Sequence, residues 1–330
     1  MQQDNILAKK KSNRLGLLFL LIIFVYTVIS VAISIMSDRI TLPSSLMLIL
    51  SELLVVIPTM IYMIITKMPL GDEHGFRKIK PLTVFMSIIL AFTFMPVVGF
   101  VNILTQFFVS NTMTQASDSL FSGSYIVILF ISSIYGPICE EIVFRGVLFK
   151  EYATITTAMK AALISGLFFG LMHLNVNQTC YALVLGVVFA IVNRASGSIV
   201  TSIIMHVTIN LWNMLILMVT NIAYKATGMS QSVSELAEEA RTSDMLYMYA
   251  GIYLVLGLIF GAICIPIVVF IAKHEGRENE LKEMFVKNKD MDVEKTSVNV
   301  FLSPFTIIAI VFSIFVIFGL NPLIAYLGWG

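Results

Sequence analysis

Charge is scarce in this chain of 330 residues, of which only 12% are Asp, Glu, Lys or Arg. A soluble domain carries about 25% charged residues, so the composition excludes an ordinary soluble protein. The net charge is only +1, without the excess of basic residues that a nucleic-acid-binding protein carries. No nucleic-acid partner is therefore expected. Only three cysteines occur, and their apolar surroundings predict small core side chains rather than a disulfide framework or a metal cluster: Cys139, Cys180 and Cys264.

Apolar residues make up 58% of the chain and fall in long runs. A helix needs roughly 20 apolar residues to cross about 30 Å of hydrocarbon, and a backbone in lipid must satisfy its own hydrogen bonds. The first run is too long for a signal peptide and lacks a cleavage site, so we expect a retained span. These runs predict an all-α, polytopic transmembrane helical bundle with eight or nine spans, near 15–36, 45–66, 82–109, 125–149, 158–174, 179–193, 198–221, 248–272 and 302–326.

The fifth and sixth runs are short and are joined by the polar stretch Asn175–Thr179. They predict a tight helical hairpin that could be tilted or incompletely spanning, which leaves the count at eight or nine. Three regions follow from the pattern. We expect an N-terminal three-span region over 1–124, a core over 125–221, and an outer loop, two further spans and a cytoplasmic loop over 222–330. The two polar loops, Ile222–Tyr247 and Lys273–Asn299, are interpreted as solvated connections.

The distribution of Lys and Arg predicts the orientation in the membrane. With Arg145 left out because it lies within a span, 17 basic residues fall on one side and three on the other, namely Arg39, Lys225 and Arg241. The N-terminus is therefore expected in the cytoplasm, and nine spans would place the C-terminus outside. We expect an integral protein of a prokaryotic plasma membrane, although the charge bias fits the endoplasmic reticulum of a eukaryote equally well.

Ionisable side chains inside the spans require an explanation, because placing each one in hydrocarbon costs about 2.5–3.5 kcal/mol or more of free energy. Glu52 lies at the outer end of its span with no obvious partner, and we interpret it as structural. The other residues of this kind are Glu140, Glu141, Arg145, His173 and His206.

The first cluster is the run from Glu140 to Arg145. Successive helical residues are about 100° apart, so the two glutamates cannot point at the same spot. Glu141 and Arg145 are four residues apart and share one face in the favourable acid-first order. The spacing predicts that Arg145 pairs with Glu141 and leaves Glu140 free to act as a general base. Gly136 and Pro137, one turn earlier, would kink the helix and loosen its backbone before this site.

The second cluster lies on two other helices. His173 ends the fifth run, and His206 and Asn210 are four residues apart in the seventh, so they share a face. His206 and Asn210 could both donate hydrogen bonds to the oxyanion that forms when water attacks an amide carbonyl. Helical rise puts Glu140 and His206 about 10–15 Å from the cytoplasmic ends and His173 nearer about 20 Å. A common site therefore requires the fifth helix to tilt or to begin deeper.

The three segments resemble the motifs of the CPBP family, also called the Abi or type II CAAX prenyl protease family of membrane peptidases. Glu-Glu-x-x-x-Arg corresponds to Glu140, Glu141 and Arg145. Phe-x-x-x-His corresponds to Phe169 and His173, and His-x-x-x-Asn to His206 and Asn210. The three occur in the family's order over about Ile126–Trp212.

The resemblance implies an intramembrane endopeptidase, expected to cleave a membrane-associated peptide or protein tail that could be prenylated. Glu140 would activate water with help from His173, and His206 and Asn210 would stabilise the oxyanion. Glu141 would support the site or act more directly, and Arg145 and Phe169 would be structural. The family is often catalogued as metallopeptidases, and a zinc ion could use Glu140, His173 and His206. The favoured interpretation requires no metal cofactor.

Two alternatives come from other functional classes. A non-catalytic scaffold or bacteriocin-immunity protein on the same fold is the first, and retention of all the motif residues argues against it. A transporter with Glu140 as its proton site is the second. The adjacent glutamates and the absence of paired broken helices from two repeats argue against a transporter.

Overall fold

The computed structural model of the protein describes residues 2–36, 39, 42–68, 75–227, 232–285 and 299–326. Within these ranges the regular structure is helical throughout, with no strand. The chain is therefore an all-α polytopic membrane protein, as predicted. The helices long and apolar enough to span a membrane number eight among the described residues. They are α1 (Gln2–Met36), α2 (Ser44–Thr66), α3 (Pro81–Gln106), α4 (Tyr125–Ala153), α6 (Val176–Ser196), α7 (Ile199–Thr227), α9 (Met245–Glu275) and α11 (Pro304–Phe315, continued to Tyr326).

A ninth apolar helix, α5 (Ala158–Met172), is shorter than a full span. Its 15 residues rise about 22 Å, less than the hydrocarbon core of about 30 Å. It packs along α6 as the predicted hairpin. The prediction for α6 itself, 179–193, was too short. Asn175 caps the helix by accepting a hydrogen bond from the Gln178 amide at 2.8 Å, and Gly197 closes it with a φ of 76°.

The two polar loops contain helices that hydrophobicity alone did not predict. The outer loop holds α8 (Val233–Thr242), which begins with a capping box between Ser232 and Glu235. The other loop holds α10 (Glu278–Phe285), in which Leu281 and Met284 are buried. The interpretation of these loops as solvated connections did not include these two helices, whose remaining residues apart from Val233 are exposed or partly exposed. Two further one-turn helices, Thr112–Gln115 and Ser117–Leu120, connect α3 to α4.

Helix α4 changes its winding on both sides of the glutamates. Two π-helical segments, Ile131–Tyr135 and Ile142–Phe149, enclose a short α-helical segment, Gly136–Glu141. The Gly136 amide donates to the carbonyl of Ile131, five residues back. Such wide turns rotate the side chains that follow relative to a regular α-helix. The expected loosening before the site is therefore present, as a wide turn around Gly136 and Pro137.

Two ion pairs between described residues lie at one end of the bundle. Lys11 pairs with Glu151 at 2.8 Å, which joins the start of α1 to the end of α4. At the same end, Arg194 after α6 pairs with Glu283 of α10 at 3.4 Å. This arrangement agrees with the one-sided distribution of charge in the sequence, while the side of the membrane stays a prediction.

Helices from the outer regions of the sequence enclose the core helices. Helix α3 packs along α9 and also contacts α6 and α7, and α1 packs along α11. The three cysteines are free thiols. Cys139 and Cys264 are buried, as expected for core side chains, whereas Cys180 is half-buried. The division at 124 and 221 stays a prediction about the sequence.

Candidate active site

The candidate site lies where α4, α5 and α7 meet, and Glu141 is its most connected side chain. Glu141 and Arg145 are both fully buried, and Arg145 Nη1 lies 2.9 Å from Glu141 Oε1. This is the contact that the spacing of four residues predicts. The other carboxylate oxygen accepts a hydrogen bond of 2.6 Å from the Ser202 hydroxyl on α7. His206 Nδ1 lies 3.1 Å from Oε1. Glu141 therefore ties α4 to α7.

Arg145 is enclosed by aromatic rings. Its guanidinium carbon lies 4.3 Å from the centre of the Phe169 ring on α5 and 5.0 Å from that of Phe189 on α6. The negative faces of aromatic rings stabilise a cation, more strongly where water is excluded. The buried charge is thus balanced by one carboxylate and two rings. Phe169, for which the motif implies a structural role, contacts the guanidinium, and Phe189 makes a second contact that no motif indicated.

His206 lies between the two glutamates. Its Nε2 atom is 3.5 Å from Glu140 Oε2, and its Nδ1 atom faces Glu141. Because a carboxylate only accepts hydrogen bonds, Nδ1 carries the proton that faces ionised Glu141. In the neutral imidazole, Nε2 is then an acceptor; in the imidazolium, Nε2 donates. His206 can therefore donate from Nε2 to an oxyanion or to Glu140 only when it carries the second proton.

Glu140 is the more accessible of the two adjacent glutamates. Its side chain is 18% exposed, while that of Glu141 is 0% exposed. The two carboxylates face different partners, as their separation on the helix predicts. Of the pair, Glu140 is the one whose side chain has exposed surface.

Asn210 is held against the backbone of α4. Its amide nitrogen donates a hydrogen bond of 3.2 Å to the carbonyl of Ser132, in the first π-helical segment. Ser132 belongs to a wide turn, where carbonyl groups lose their regular helical partners. A side-chain amide has a second N–H, so this bond leaves Asn210 able to donate once more.

His173 caps the end of α5. Its Nδ1 atom lies 2.9 Å from the carbonyl oxygen of Phe169, one turn earlier. Since a carbonyl accepts, Nδ1 donates, and Nε2 is the acceptor atom of the ring. The Phe169 ring meets the imidazole of His173 with a centroid separation of 5.3 Å and that of His206 with 5.7 Å. The two histidines therefore flank one ring, although helical rise predicts that His173 lies deeper in the membrane than His206.

Glu52 lies beside this site, which the sequence interpretation missed. A Cβ atom built on Gly136 would lie 3.1 Å from Glu52 Oε1, so the carboxylate of α2 touches the motif helix one turn before Glu140. Its Oε2 atom is buried and has no hydrogen-bond partner among the described residues. The one available signal was the cost of a glutamate in an apolar span, because no motif includes this residue.

The donor set was also considered for a metal ion. Among the described residues, no group of three or more His, Cys, Asp or Glu side chains is arranged to hold one. His206 Nδ1 and Glu141 are engaged with each other, and His173 Nδ1 faces a backbone carbonyl. The set Glu140, His173 and His206 is therefore not assembled as a metal centre in this geometry.

Fold and site together define an integral membrane protein in which Glu141, Arg145 and His206 are buried in contact with one another and Glu140 lies beside His206. Residues 122–212 match the family described as "Type II CAAX prenyl endopeptidase Rce1-like". The chain is also 32% identical over 97 residues to "Putative membrane peptidase YdiL" of Bacillus subtilis (strain 168). That alignment covers 29% of this chain and 39% of the relative. No solved structure matches. The resemblance of the motif-bearing segment to the CPBP family is confirmed.

Proposed function

We propose that the chain is an intramembrane endopeptidase that hydrolyses a peptide bond in a membrane-associated peptide or protein tail. The observation that carries the proposal is the pair of Glu140 and His206, 3.5 Å apart at membrane depth. The buried contact between Glu141 and Arg145 holds His206 in place. The similarity of 122–212 to prenyl endopeptidases and of 97 residues to a membrane peptidase supports the same class of reaction.

The proposed reaction begins with a water molecule beside Glu140. The Glu140 carboxylate takes one proton from the water, and the oxygen attacks the carbonyl carbon of the scissile amide. Nε2 of His173 accepts a hydrogen bond from the same water and aligns it. The resulting tetrahedral intermediate carries a negative oxygen, to which Asn210 and the cationic form of His206 donate hydrogen bonds. Glu140 then returns its proton to the amine as the carbon–nitrogen bond breaks.

The buried residues serve this reaction by orientation. Ionised Glu141 fixes which ring nitrogen of His206 carries a proton and favours the imidazolium when it forms, because the charges lie 3.1 Å apart. Arg145 and its aromatic enclosure keep Glu141 in place. Because most of this network is out of water, its electrostatic interactions are stronger than at a surface.

The test is cleavage of a quenched-fluorescent peptide library, with some members prenylated, by purified protein in detergent. Glu140→Gln should lower the rate by a factor of about 10²–10⁴, the usual contribution of a general base. The matched control is Glu151→Gln, which neutralises a glutamate of the same helix that pairs with Lys11 at the bundle end. This control should cleave at the wild-type rate.

A chelator arm addresses the metal. Cleavage retained in chelator and lost in Glu140→Gln would agree with water activated by glutamate alone. Cleavage that survives both Glu140→Gln and His173→Ala would overturn the proposal and favour a non-catalytic scaffold or immunity protein. Uptake driven by an ion gradient in proteoliposomes would favour a transporter instead.

A further inference from the structure

A cleft of about 310 Å³ opens beside His173, and neither Glu141 nor Arg145 lines it. It lies between α1 and α11, neither of which belongs to the motif-bearing segment. Of the motif residues, His173 alone lines it. The volume falls at the lower end of the range of about 300–1,000 Å³ typical of ligand sites. A space of this size next to a candidate catalytic histidine is a candidate ligand site.

One wall of the cleft is a row of hydroxyl groups on α1. Tyr26, Ser30 and Ser34 are spaced by four residues and share a helix face, and Thr27 lies beside them. Thr27 is 5% exposed, and its hydroxyl has no hydrogen-bond partner among the described residues. A serine or threonine in a helix can bond to its own backbone one turn back, yet Thr27 does not. A buried hydroxyl without a partner is costly. Because the Thr27 oxygen is itself buried, a ligand in the cleft would pair with it after the side chain rotates towards the cleft.

The rim beside His173 is a fixed turn of backbone. Leu174 has a φ of 51°, in the left-handed region that a leucine seldom occupies. Its carbonyl accepts a hydrogen bond of 2.8 Å from the side chain of Asn321 on α11. The carbonyl of His173 accepts one of 2.9 Å from Asn175. Strained residues of this kind persist where neighbours hold them and are concentrated at functional sites.

The chemistry of the cleft narrows the class of ligand. Among the described residues that line the cleft there is no Asp, Glu, Lys or Arg, so these residues offer a charged group no counter-ion. An isoprenoid chain has no polar group that could pair with the row of hydroxyls. A peptide main chain in a membrane must pair its N–H and C=O groups, and each hydroxyl can both donate and accept.

We propose that this cleft binds an extended, uncharged stretch of the substrate main chain next to the scissile bond, with Thr27 and Ser30 pairing its amide groups. The inference rests on the proposed peptidase function. It assigns substrate selection to α1 and α11, which lie outside residues 122–212. It also accounts for the position of His173 at the boundary between the cleft and the carboxylate cluster.

The first experiment measures binding without cleavage. A library of uncharged peptides that carry a photoreactive diazirine side chain is irradiated with the Glu140→Gln variant, and the labelled residues are located by mass spectrometry. Labels on the stretch 26–34 of α1 or around Leu174 and Asn321 are expected. Labels confined to lipid-facing positions would overturn the assignment.

The second experiment measures kinetics in an otherwise wild-type chain. Thr27→Val keeps the side-chain shape and removes the hydroxyl. It should raise KM about tenfold with kcat little changed, the effect of one lost hydrogen bond. Ser30→Leu should raise KM at least as much by filling the cleft. The control is Val28→Leu, on the same helix but 49% exposed, and its KM should not change.

The outcomes separate the two proposals. If wild-type protein cleaves while Thr27→Val and Ser30→Leu keep the wild-type KM, the cleft assignment is wrong and the peptidase stands. If no peptide is cleaved but labels appear in the cleft, the peptide site stands and the peptidase is wrong. If neither cleavage nor labelling of the cleft occurs, the peptidase proposal and the cleft assignment are both wrong. Unchanged thermal unfolding midpoints of the variants exclude misfolding as the cause.

Discussion

At the scale of single residues, the buried charge of Arg145 makes a large contribution to stability. Its guanidinium lies 2.9 Å from Glu141, and both side chains are fully buried. Removing one partner leaves the other charge uncompensated, which typically costs about 3–5 kcal/mol. We therefore expect Arg145→Met to lower the free energy of unfolding by about this amount, measured by thermal or denaturant unfolding in detergent.

The control for Arg145→Met is Lys160→Met, which removes an exposed cation at the start of α5 and should change stability by less than about 0.5 kcal/mol. The double variant Arg145→Met with Glu141→Gln should recover part of the loss, because the unpaired carboxylate is then neutral. A single variant as stable as the wild type would mean that the ion pair contributes no net stability.

Glu52, in contrast to Arg145, is expected to lower the stability of the protein. One of its carboxylate oxygens is buried and has no hydrogen-bond partner among the described residues. Replacing an unsatisfied polar group by an apolar one of similar shape is neutral or stabilising. Glu52→Met is therefore expected to raise the midpoint of thermal unfolding. A lower midpoint would show that the carboxylate gains more from its surroundings than its burial costs.

At the scale of helices, the contact between α5 and α6 depends on glycine. A Cβ atom on Gly170 would lie 2.6 Å from the carbonyl oxygen of Thr179 and 3.0 Å from the Cβ of Leu183. A backbone carbonyl cannot move aside without its helix, so Gly170→Ala should separate the two helices. We expect a loss of about 1–3 kcal/mol in stability and a lower cleavage rate, because His173 follows three residues later.

Gly251→Ala on α9 is the matched control for Gly170→Ala. No atom outside its own helix backbone and chain neighbours lies within 4 Å of the added Cβ. Alanine is the better helix former by roughly 0.5–1 kcal/mol, so this variant should be as stable as the wild type or more so. Equal effects of the two substitutions would argue against close packing as the cause.

The part of the site predicted from sequence is the part that depends on spacing within one helix. The pairing of Glu141 with Arg145 and the separation of the two glutamates follow from residues four apart and one apart. The contacts of Glu141 with Ser202 and His206 depend on how α4 meets α7, which a periodic pattern does not contain. The same holds for Glu52, whose neighbour is Gly136 of another helix. Gly136 and Pro137 predicted a loosened backbone in α4, but the π-helical segments have no hydrophobic signature, so their wide winding and their bounds were not predicted.

Helix α8 offers a prediction about pH outside the membrane-spanning segments. Glu238 accepts hydrogen bonds from the Arg241 guanidinium and, at 2.7 Å, from the Ser110 hydroxyl between α3 and α4. The bond from Arg241, followed by that from Ser110, lowers the pKa of Glu238 to about 2, from an ordinary value of about 4.3. A lowered pKa means that the ionised form stabilises the docked helix.

The contribution of Glu238 to docking is therefore complete above about pH 4.3 and is lost as the pH falls through about 2. The carboxylate is 37% exposed, so the effect is expected to be small and sensitive to salt. Carbon-13 NMR of glutamate carboxyl groups measures the titration directly. Arg241→Gln should return the pKa of Glu238 towards its ordinary range, and an unchanged titration would rule out Arg241 as the main cause.

At the scale of the whole molecule, the charge distribution predicts which end of the bundle faces the cytoplasm. The start of α1, the end of α4, the end of α6 and α10 share one end and carry the paired residues Lys11, Glu151, Arg194 and Glu283. Lys and Arg are retained on the cytoplasmic side of membrane proteins. We therefore expect α10 inside the cell and α8 outside. The proposed cleft, formed by the later turns of α1 and α11, then lies in the outer half of the bilayer.

A cysteine-labelling experiment tests this orientation in a chain whose three native cysteines are replaced. Thr242→Cys in α8 and Asn279→Cys in α10 both occupy exposed positions outside the spans. A membrane-impermeant maleimide should label Thr242→Cys in intact cells and Asn279→Cys only after permeabilisation. The reverse pattern would invert the bundle and place the cleft beside His173 in the cytoplasmic half. A substrate would then reach His173 from the cytoplasm, whereas the expected orientation brings its uncharged stretch in from the outer half of the bilayer.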